Sequence, residues 1–388
     1  MVTNRRKYLI IFILIISLPL FMWVAWLLTP MKPLNIAIVD KTVLTQQVRE
    51  HVSFNWILTN MRITKPDRTF YQPISDYFGL FPERKEVFDK KKNNYQKKGL
   101  EQFSRAQIDS IATALDMAYF TDTYGLYFNE WKNIQILEHS PLIYGGMSAA
   151  DIHLLAALKE KKKLIITEFN DIATPTDKEV RQLFTTLFGV KWSGWAGRYF
   201  DVLDTNRNGE LPLWLKKGYV AQHNHKWPFK KAGIALVHED GRIEILENDT
   251  HLNHEYPVII SSDTTTRRFG VTDKMDYPYW FDINGSSTQN NILSWYELDT
   301  NPDGDAILSK NGIPKRFPAT IERKTDCNFY YFCGDFADNP VSEWLAHFKY
   351  INNVKYALTI SRGGSDEAPF FWKYYVPMLR TIMKENFR

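Results

Sequence analysis

Residues 142–170 read LIYGGMSAADIHLLAALKEKKKLIITEFN, and this stretch decides the fold class. Apolar runs at 142–144 and 164–167 have the length of buried strands, and the residues at 149–161 between them have apolar side chains at helical spacing. Strands joined by helices form parallel sheets with right-handed crossovers. The stretch therefore predicts an α/β fold, with a parallel sheet and helices on both of its faces.

The same alternation continues on both sides of this stretch. A further helix is predicted at 177–188. Apolar runs predict further strands of the parallel sheet at 34–40, 117–120, 329–332 and 356–360. The sheet is thus expected to draw on both the first half and the last quarter of the chain.

Residues 233–320 follow a different pattern, with short alternating runs broken by turns. Asp240-Gly241 lies between two such runs and predicts a hairpin. We expect a mostly antiparallel β region inserted into the α/β domain. The predicted boundaries are an α/β domain at 34–226, the β-rich insertion at 227–320 and the return to the α/β domain at 321–388.

The N-terminal segment carries no charge between residues 8 and 28, a length close to the ~20 residues that a helix needs to cross a bilayer. Arg5, Arg6 and Lys7 precede it, which predicts a cytoplasmic tail at 1–7 and an extracytoplasmic body. A cleaved signal peptide is the alternative, but bulky Trp23 and Trp26 stand where a peptidase requires small residues. The sequence therefore predicts a single-pass signal-anchor in the cell membrane, with lipid as a partner.

The composition excludes several classes of protein. The chain has 48 Lys and Arg against 44 Asp and Glu, and the excess lies in the N-terminal segment, so the body is neutral and no nucleic-acid partner is expected. Cys327 and Cys333 are the only cysteines, which excludes a disulfide-stapled scaffold. A strand between them would hold their Cα atoms ~20 Å apart, so two separate thiols are favoured over a bridge.

Ligands of open parallel sheets bind outside the carboxyl ends of the strands. Acidic residues follow the predicted strands at this edge, and we predict catalytic roles for Asp122, Glu168 and Asp335. The predicted ligand-binding residues near the same edge are Tyr124, Gly145, Gly146, Asn170, Trp195, Arg198 and Asp338. The alternative for each single residue is a turn or a helix cap, because Asp, Asn and Gly favour both.

Trp and Tyr side chains in polar, turn-rich sequence, such as Trp195 and Trp280, suit stacking against sugar rings, and the alternative is that they belong to the core. We therefore expect a protein of the cell envelope that binds or processes polysaccharide. Whether it is an enzyme stays open, because the same residues could serve an interaction subunit of an envelope or exopolysaccharide assembly complex. No cofactor is expected, and no metal, because the loops that begin at Asp204 and Asp299 lack the bidentate carboxylate of a calcium loop.

The turn at 142–148, the strand with its acidic end at 164–170 and Gly189 resemble the flavodoxin-like fold of class I glutamine amidotransferase-like domains, over about residues 34–200. The nucleophile elbow of that family is Gly-x-Cys-x-Gly. Here Met147 and Ser148 follow the glycine pair, and no His-x-Glu pair stands downstream. The resemblance therefore implies the fold without glutamine hydrolysis.

Overall fold

The computed structural model of the chain describes residues 17–83, 95–132, 140–207, 210–360, 363 and 366–387. Its strands are β1 (Lys32–Pro33), β2 (Ile36–Asp40), β3 (Ile63–Thr64), β4 (Phe78–Pro82), β5 (Tyr95–Lys98), β6 (Met117–Asp122), β7 (Leu126–Tyr127), β8 (Leu142–Tyr144), β9 (Leu164–Glu168), β10 (Val190–Phe200), β11 (Gly233–His238), β12 (Ile243–Glu247), β13 (Val258–Ser261), β14 (Lys274–Asp276), β15 (Trp280–Ser286), β16 (Asn291–Glu297), β17 (Arg316–Arg323) and β18 (Asn328–Phe332). Besides a helix at residues 17–27, the α-helices are Arg49–Asn60, Arg105–Ala114, Phe128–Lys132, Ala149–Glu160, Lys178–Phe188, Leu213–Gln222, Asp263–Phe269, Pro302–Lys310, Ile351–Leu358, Ala368–Phe370 and Val376–Asn386. Further helical turns are the 3-10 turns Leu100–Gln102 and Glu343–His347 and the π-helical turn Phe371–Tyr375.

The main sheet has ten strands in the order β14-β13-β16-β17-β18-β9-β6-β2-β4-β5. The neighbours from β18 to β4 are parallel, and every other pair in the sheet is antiparallel. Taken by their position along the chain, the five parallel strands have the order 2-1-3-4-5. The strand order reverses between β2 and β6, which is where open α/β sheets form their ligand crevice.

The central strands are apolar because helices cover them. Every residue of β2, β6 and β9 is buried, as expected for parallel strands enclosed on both faces. Ser148 begins the helix after β8 with a capping box that it forms with Asp151. Gly189, at φ 69°, ends the helix before β10 in the left-handed conformation that glycine adopts without strain.

The predicted fold class is wrong in the arrangement of its sheets. The β-rich segment is not a separate insertion, because β13, β14, β16 and β17 extend the parallel sheet through the antiparallel pair of β17 and β18. A second sheet has the antiparallel order β12-β11-β10-β15, and the predicted hairpin at Asp240-Gly241 joins two of its strands. The domain boundaries themselves stay a prediction.

Two predicted strands lie elsewhere. Residues 142–144 form β8, which pairs with β7 in a small antiparallel sheet. The five parallel strands of the main sheet therefore do not include β8. Most of the predicted strand at 356–360 belongs instead to the helix Ile351–Leu358. Cys327 and Cys333 stand on either side of β18 as free, buried thiols, in line with their separation along a strand.

The predicted transmembrane helix is contradicted. Within the described ranges, no helix has both the length and the apolar character needed to cross a bilayer. A helix occupies residues 17–27, whereas the predicted tail and the rest of the span, residues 1–16, lie outside the described residues. Met22 and Trp26 of this helix are buried against the body, and the Trp26 indole donates to the carbonyl of Thr59 at 3.0 Å.

Part of the supposed lipid-facing segment therefore packs on protein. The predictions of a signal-anchor, a single-pass membrane location with an extracytoplasmic body, and lipid contact through this helix are corrected accordingly.

Candidate functional site

Two carboxyl groups face each other at the point where the strand order reverses. Asp40 ends β2, Asp122 ends β6, and the two are partners in the parallel register. Thr42 bridges them: its N–H donates to Asp40 Oδ1 at 2.9 Å and its hydroxyl donates to Asp122 Oδ1 at 2.7 Å. Both acids are buried, so the point where the strand order reverses holds two carboxyl groups with little access to water.

Burial, and then the charge of Asp40, raises the pKa of Asp122 to about 7. The carboxyl group also accepts the N–H of Tyr124 at 2.6 Å and the side-chain amide of Asn170 at 3.4 Å. Asn170 has a left-handed backbone with φ 68°, and its N–H donates to Asp282 Oδ2 at 3.3 Å. The structure thus brings Asp122 and Asn170 together, and it holds Asn170 in an uncommon conformation.

Glu168 ends β9 and is fully buried. Its Oε2 accepts the N–H of Phe336 at 3.0 Å, whereas Oε1 has no hydrogen-bond partner among the described residues. Burial, followed by the charges of Asp335 and Asp171, raises the pKa of Glu168 well above its ordinary value. Burial therefore favours the neutral, protonated form of this side chain.

Asp335 and Asp338 lie in the loop after β18. The N–H of Asp335 donates to the carbonyl of Trp280 at 3.1 Å, which ties this loop to β15 of the second sheet. Burial, and then the charges of Asp338 and Asp122, raises the pKa of Asp335. Asp338 forms an ion pair with Arg49 at 3.3 Å, yet burial keeps its pKa raised as well.

Two further acids complete the group. Burial and the charges of Asp40 and Asp338 raise the pKa of Glu50, and burial and Asp338 raise that of Glu367 to about 7. We call the full set the carboxylate cluster: Asp40, Glu50, Asp122, Glu168, Asp335, Asp338 and Glu367. The cations that act on it are Arg49 and Arg198, which lower the pKa of both Asp338 and Glu367. The acids thus outnumber these arginines.

His51 supports the cluster from the first helix. Its Nδ1 contacts Asp40 Oδ2, and its Nε2 lies 2.8 Å from the carbonyl oxygen of Pro73. A carbonyl only accepts, so Nε2 carries a proton and the remaining proton lies between Nδ1 and Asp40. His51 therefore fixes the orientation of the Asp40 carboxyl group.

Aromatic and cationic groups lie beside the acids. The ring of Trp280 stacks on Phe169 with centroids 6.4 Å apart, and the Arg198 guanidinium lies 5.9 Å from the Trp280 ring. Arg198 also pairs with the exposed Glu210 at 3.1 Å. Trp195 contacts a different group: its ring packs on His238.

The predicted glycines lie where two segments of backbone pass close to each other. A Cβ atom on Gly145 would lie 2.3 Å from the carbonyl oxygen of Tyr124. The Gly146 carbonyl accepts the ammonium group of Lys41 at 3.1 Å. The Tyr124 ring packs on Tyr127, with centroids 5.1 Å apart. The close approach to Tyr124 explains the glycine at 145, and the left-handed backbone of Gly146, with φ 79°, explains the glycine at 146. A ligand role for both stays a prediction.

The acidic residues of the loop that begins at Asp299 have local roles. Asp303 and Asp305 lie in the first turn of the helix Pro302–Lys310, which Asn301 caps, and Asp305 pairs with Lys315 at 2.8 Å. In the part of the chain that the structure describes, no three His, Cys, Asp or Glu side chains are arranged to hold a metal ion.

Sequence reasoning missed Arg49, Glu50 and Glu367. The first two begin the helix that follows β2, and the start of such a helix lies at the same edge of the sheet as the end of its strand. That signal was available. Glu367 lies far from the parallel strands in sequence, and only the folded chain brings it to Asp338.

Comparison with known proteins identifies distant structural neighbours and no family. No family model matches the chain, and no curated protein matches it. Its structural neighbours include a ThuA-like protein from Parabacteroides merdae, at 10% identity over 78% of this chain and 79% of that one, with a TM-score of 0.35. A ThuA-like protein from Bacteroides uniformis has 7% identity over 86% of this chain and 96% of that one, with a TM-score of 0.37. At such scores the likeness identifies neither an activity nor a ligand.

Proposed function

We propose that the carboxylate cluster binds a carbohydrate, namely a segment of polysaccharide. The observation that carries this proposal is a group of seven acids from six segments of the chain that are linked by like-charge interactions, while two arginines act on Asp338 and Glu367. Burying incompletely paired acids costs several kcal/mol. A protein retains such an arrangement where it serves function at the expense of stability.

The chemistry of the cluster suits sugar hydroxyl groups, which both donate and accept hydrogen bonds. Ionised carboxylates accept from hydroxyls, whereas a carboxylic acid that keeps its proton, the form that burial favours for Glu168, donates to them. The stacked rings of Trp280 and Phe169 offer an apolar face for a sugar ring, and Arg198 beside them offers guanidinium donors.

Hydrolysis is the catalytic form of the same proposal. A glycosidase needs one carboxylic acid whose raised pKa keeps it protonated and a second carboxylate about 5–10 Å away. Asp122 and Glu367, each with a pKa of about 7, are candidates for the acid. Asp338, which Arg49 pairs, is a candidate for the ionised partner.

The resemblance to amidotransferase-like domains concerns the fold and does not extend to their catalytic residues. Met147, at the position after the glycine pair, is buried, and Ser148 is engaged in capping its helix through Asp151. Neither supports a nucleophile at this turn. This favours carbohydrate binding, or an interaction subunit that binds without turnover, over acyl transfer.

A glycan array probed with the full-length protein tests the proposal. We expect retention of at least one oligosaccharide class. Asp335→Asn and Arg198→Gln should each weaken it about tenfold, because each removes a charge-assisted hydrogen bond. Asp305→Asn, which alters an acid outside the cluster, is the matched control and should bind like the unchanged protein.

Release of reducing ends from the retained oligosaccharide separates the two forms of the proposal. Release that Asp122→Asn abolishes identifies a hydrolase, and retention without release identifies a binding protein. If no glycan is retained, or if Asp335→Asn and Arg198→Gln bind as tightly as the control, the proposal is wrong.

A further inference from the structure

A second cavity lies apart from the carboxylate cluster, between β14 and the C-terminal helical segment. Its volume is about 400 Å³, within the range of small-molecule sites. None of the cluster's side chains lines it. The two sites therefore share no side chain, although Asp366 of the cavity directly precedes Glu367 of the cluster along the chain.

One side of the cavity is apolar and fixed in place. Pro278, Pro369 and the ring of Tyr256 contribute to it. The Tyr256 ring packs against Tyr199, with centroids 4.3 Å apart, and only 6% of Tyr256 is exposed. This wall offers a preformed surface for a flat or ring-shaped molecule.

The polar side of the cavity carries hydrogen-bond donors. Lys274 and Lys373 both line it. Thr272 also lines it, and its Oγ1 is buried without a hydrogen-bond partner in the described part of the chain. Asp276 and Asp366 are the acids of the wall, and Asp276 is engaged at 2.8 Å by His254. Two ammonium groups and a hydroxyl are the donors that an anionic group requires.

The backbone at this wall departs from a regular helix. Lys373 lies in the π-helical turn Phe371–Tyr375, and its carbonyl accepts the N–H of Thr272 at 3.3 Å. Turns of this kind are rare and are found frequently at functional sites. This hydrogen bond holds the turn that carries Lys373 against the segment that carries Thr272.

We propose that this cavity binds a small organic anion, a ring-sized molecule with one phosphate or carboxylate group. Lys274, Lys373 and the Thr272 hydroxyl hold the anionic group, and Tyr256 with the two prolines contacts the ring.

Isothermal titration of the full-length protein tests this with four probes: glucose 6-phosphate, benzoate, inorganic phosphate and glucose. We expect glucose 6-phosphate or benzoate to bind, inorganic phosphate to bind more weakly than the better of these two, and glucose not to bind at this cavity. Tighter binding of glucose 6-phosphate than of benzoate would indicate a phosphate ligand, and the reverse would indicate a carboxylate ligand.

Lys274→Gln and Lys373→Gln should each weaken the bound probe about tenfold, since each removes one charge-assisted contact. Lys349→Gln is the control for Lys373, because both ammonium groups lie over a tyrosine ring, 5.6 Å from Tyr350 and 5.9 Å from Tyr356, and only Lys373 lines the cavity. Lys274 is exposed, so its replacement is expected to leave the melting temperature unchanged.

Three results would overturn the proposal: no organic anion binds at millimolar concentration, glucose binds as tightly as glucose 6-phosphate, or Lys274→Gln and Lys373→Gln leave the affinity unchanged. Glycan retention at the carboxylate cluster is measured separately, with Asp335→Asn and Arg198→Gln. Failure of one proposal therefore does not decide the other.

Discussion

Asp40 and Lys41 are consecutive residues at the end of β2, and both are fully buried, yet their surroundings are opposite in kind. Lys41 forms a balanced centre: its ammonium group binds Glu101, Asp151 at 2.6 Å and the carbonyl of Gly146 at 3.1 Å. Asp40 lies among acids, with His51 as its cationic or hydrogen-bonding partner. We call the first group the lysine centre.

The contrast separates burial for stability from burial for function. In the lysine centre the charge is matched by two carboxylates, which together raise the pKa of Lys41 despite the opposing effect of its burial. In the carboxylate cluster, burial and like charges raise the pKa of the acids instead. A buried cation with carboxylate partners indicates a structural contact, whereas buried acids that repel one another at a strand-order reversal indicate a site.

Truncation to residues 34–226 separates the lysine centre from part of the carboxylate cluster. We expect this change to have the largest effect on folding. The fragment keeps Lys41 with Glu101 and Asp151 but lacks Asp335 and Glu367. We expect no cooperative folding, because without β18 the parallel strand β9 becomes an exposed edge. Circular dichroism melts and size-exclusion chromatography check this. A monomeric fragment that melts cooperatively near the full chain would show that the lysine centre folds on its own.

Lys41→Met should remove about 3–5 kcal/mol from the free energy of unfolding, because it leaves Asp151 buried without its cation. Urea unfolding at pH 7 measures the change. Lys315→Met is the matched control: its ion pair with Asp305 is about half exposed, and its loss should cost less than about 1 kcal/mol. Equal effects of the two variants would mean that burial does not distinguish these ion pairs.

The carboxylate cluster should make stability fall as pH rises. The pKa of Asp122 is about 7 in the folded protein and ~3.9 in the unfolded chain, so between these values the folded state binds more protons. Stability is then highest near the lower value and decreases through the upper one, by on the order of 2–4 kcal/mol.

Urea unfolding at intervals between pH 5 and 8 checks this dependence. Asp122→Asn should flatten the profile, and Asp201→Asn, which changes an exposed acid, should leave it unchanged. A profile that rises over this interval would contradict the proposed state of the cluster.

Glu168→Gln should have the smallest effect on stability, a change within about 1 kcal/mol or a gain, because Gln still accepts the Phe336 N–H and removes the buried acid. Glycan retention should nevertheless decrease. Glu322→Gln is the contrasting control, since Arg268 binds that carboxylate with two hydrogen bonds and its replacement should destabilise. If Glu168→Gln unfolds the protein, Glu168 is a structural acceptor and the site loses a central member.

Much of the fold could be predicted from local pattern. The apolar runs that became β2, β6, β9 and β18 are buried strands, and the Asp240-Gly241 turn joins a hairpin, because burial on both faces and turn geometry leave direct marks on sequence. The strand predicted at 356–360 was wrong, since a short apolar run fits a strand or one face of a helix equally well. The N-terminal apolar run misled too, because an uncharged segment is read as lipid-facing although Met22 and Trp26 pack on the body.

The candidate site divides in the same way. The sequence by itself determined that Asp40, Asp122 and Glu168 follow apolar strands, and hence that they end at one edge of a parallel sheet. Only the tertiary structure decided which acids are matched: Asp151 receives Lys41, whereas Asp122 receives the neighbouring charge of Asp40. The physical reason is that the free energy of a buried charge depends on desolvation and on distances to groups remote along the chain, and neither quantity is a property of local sequence.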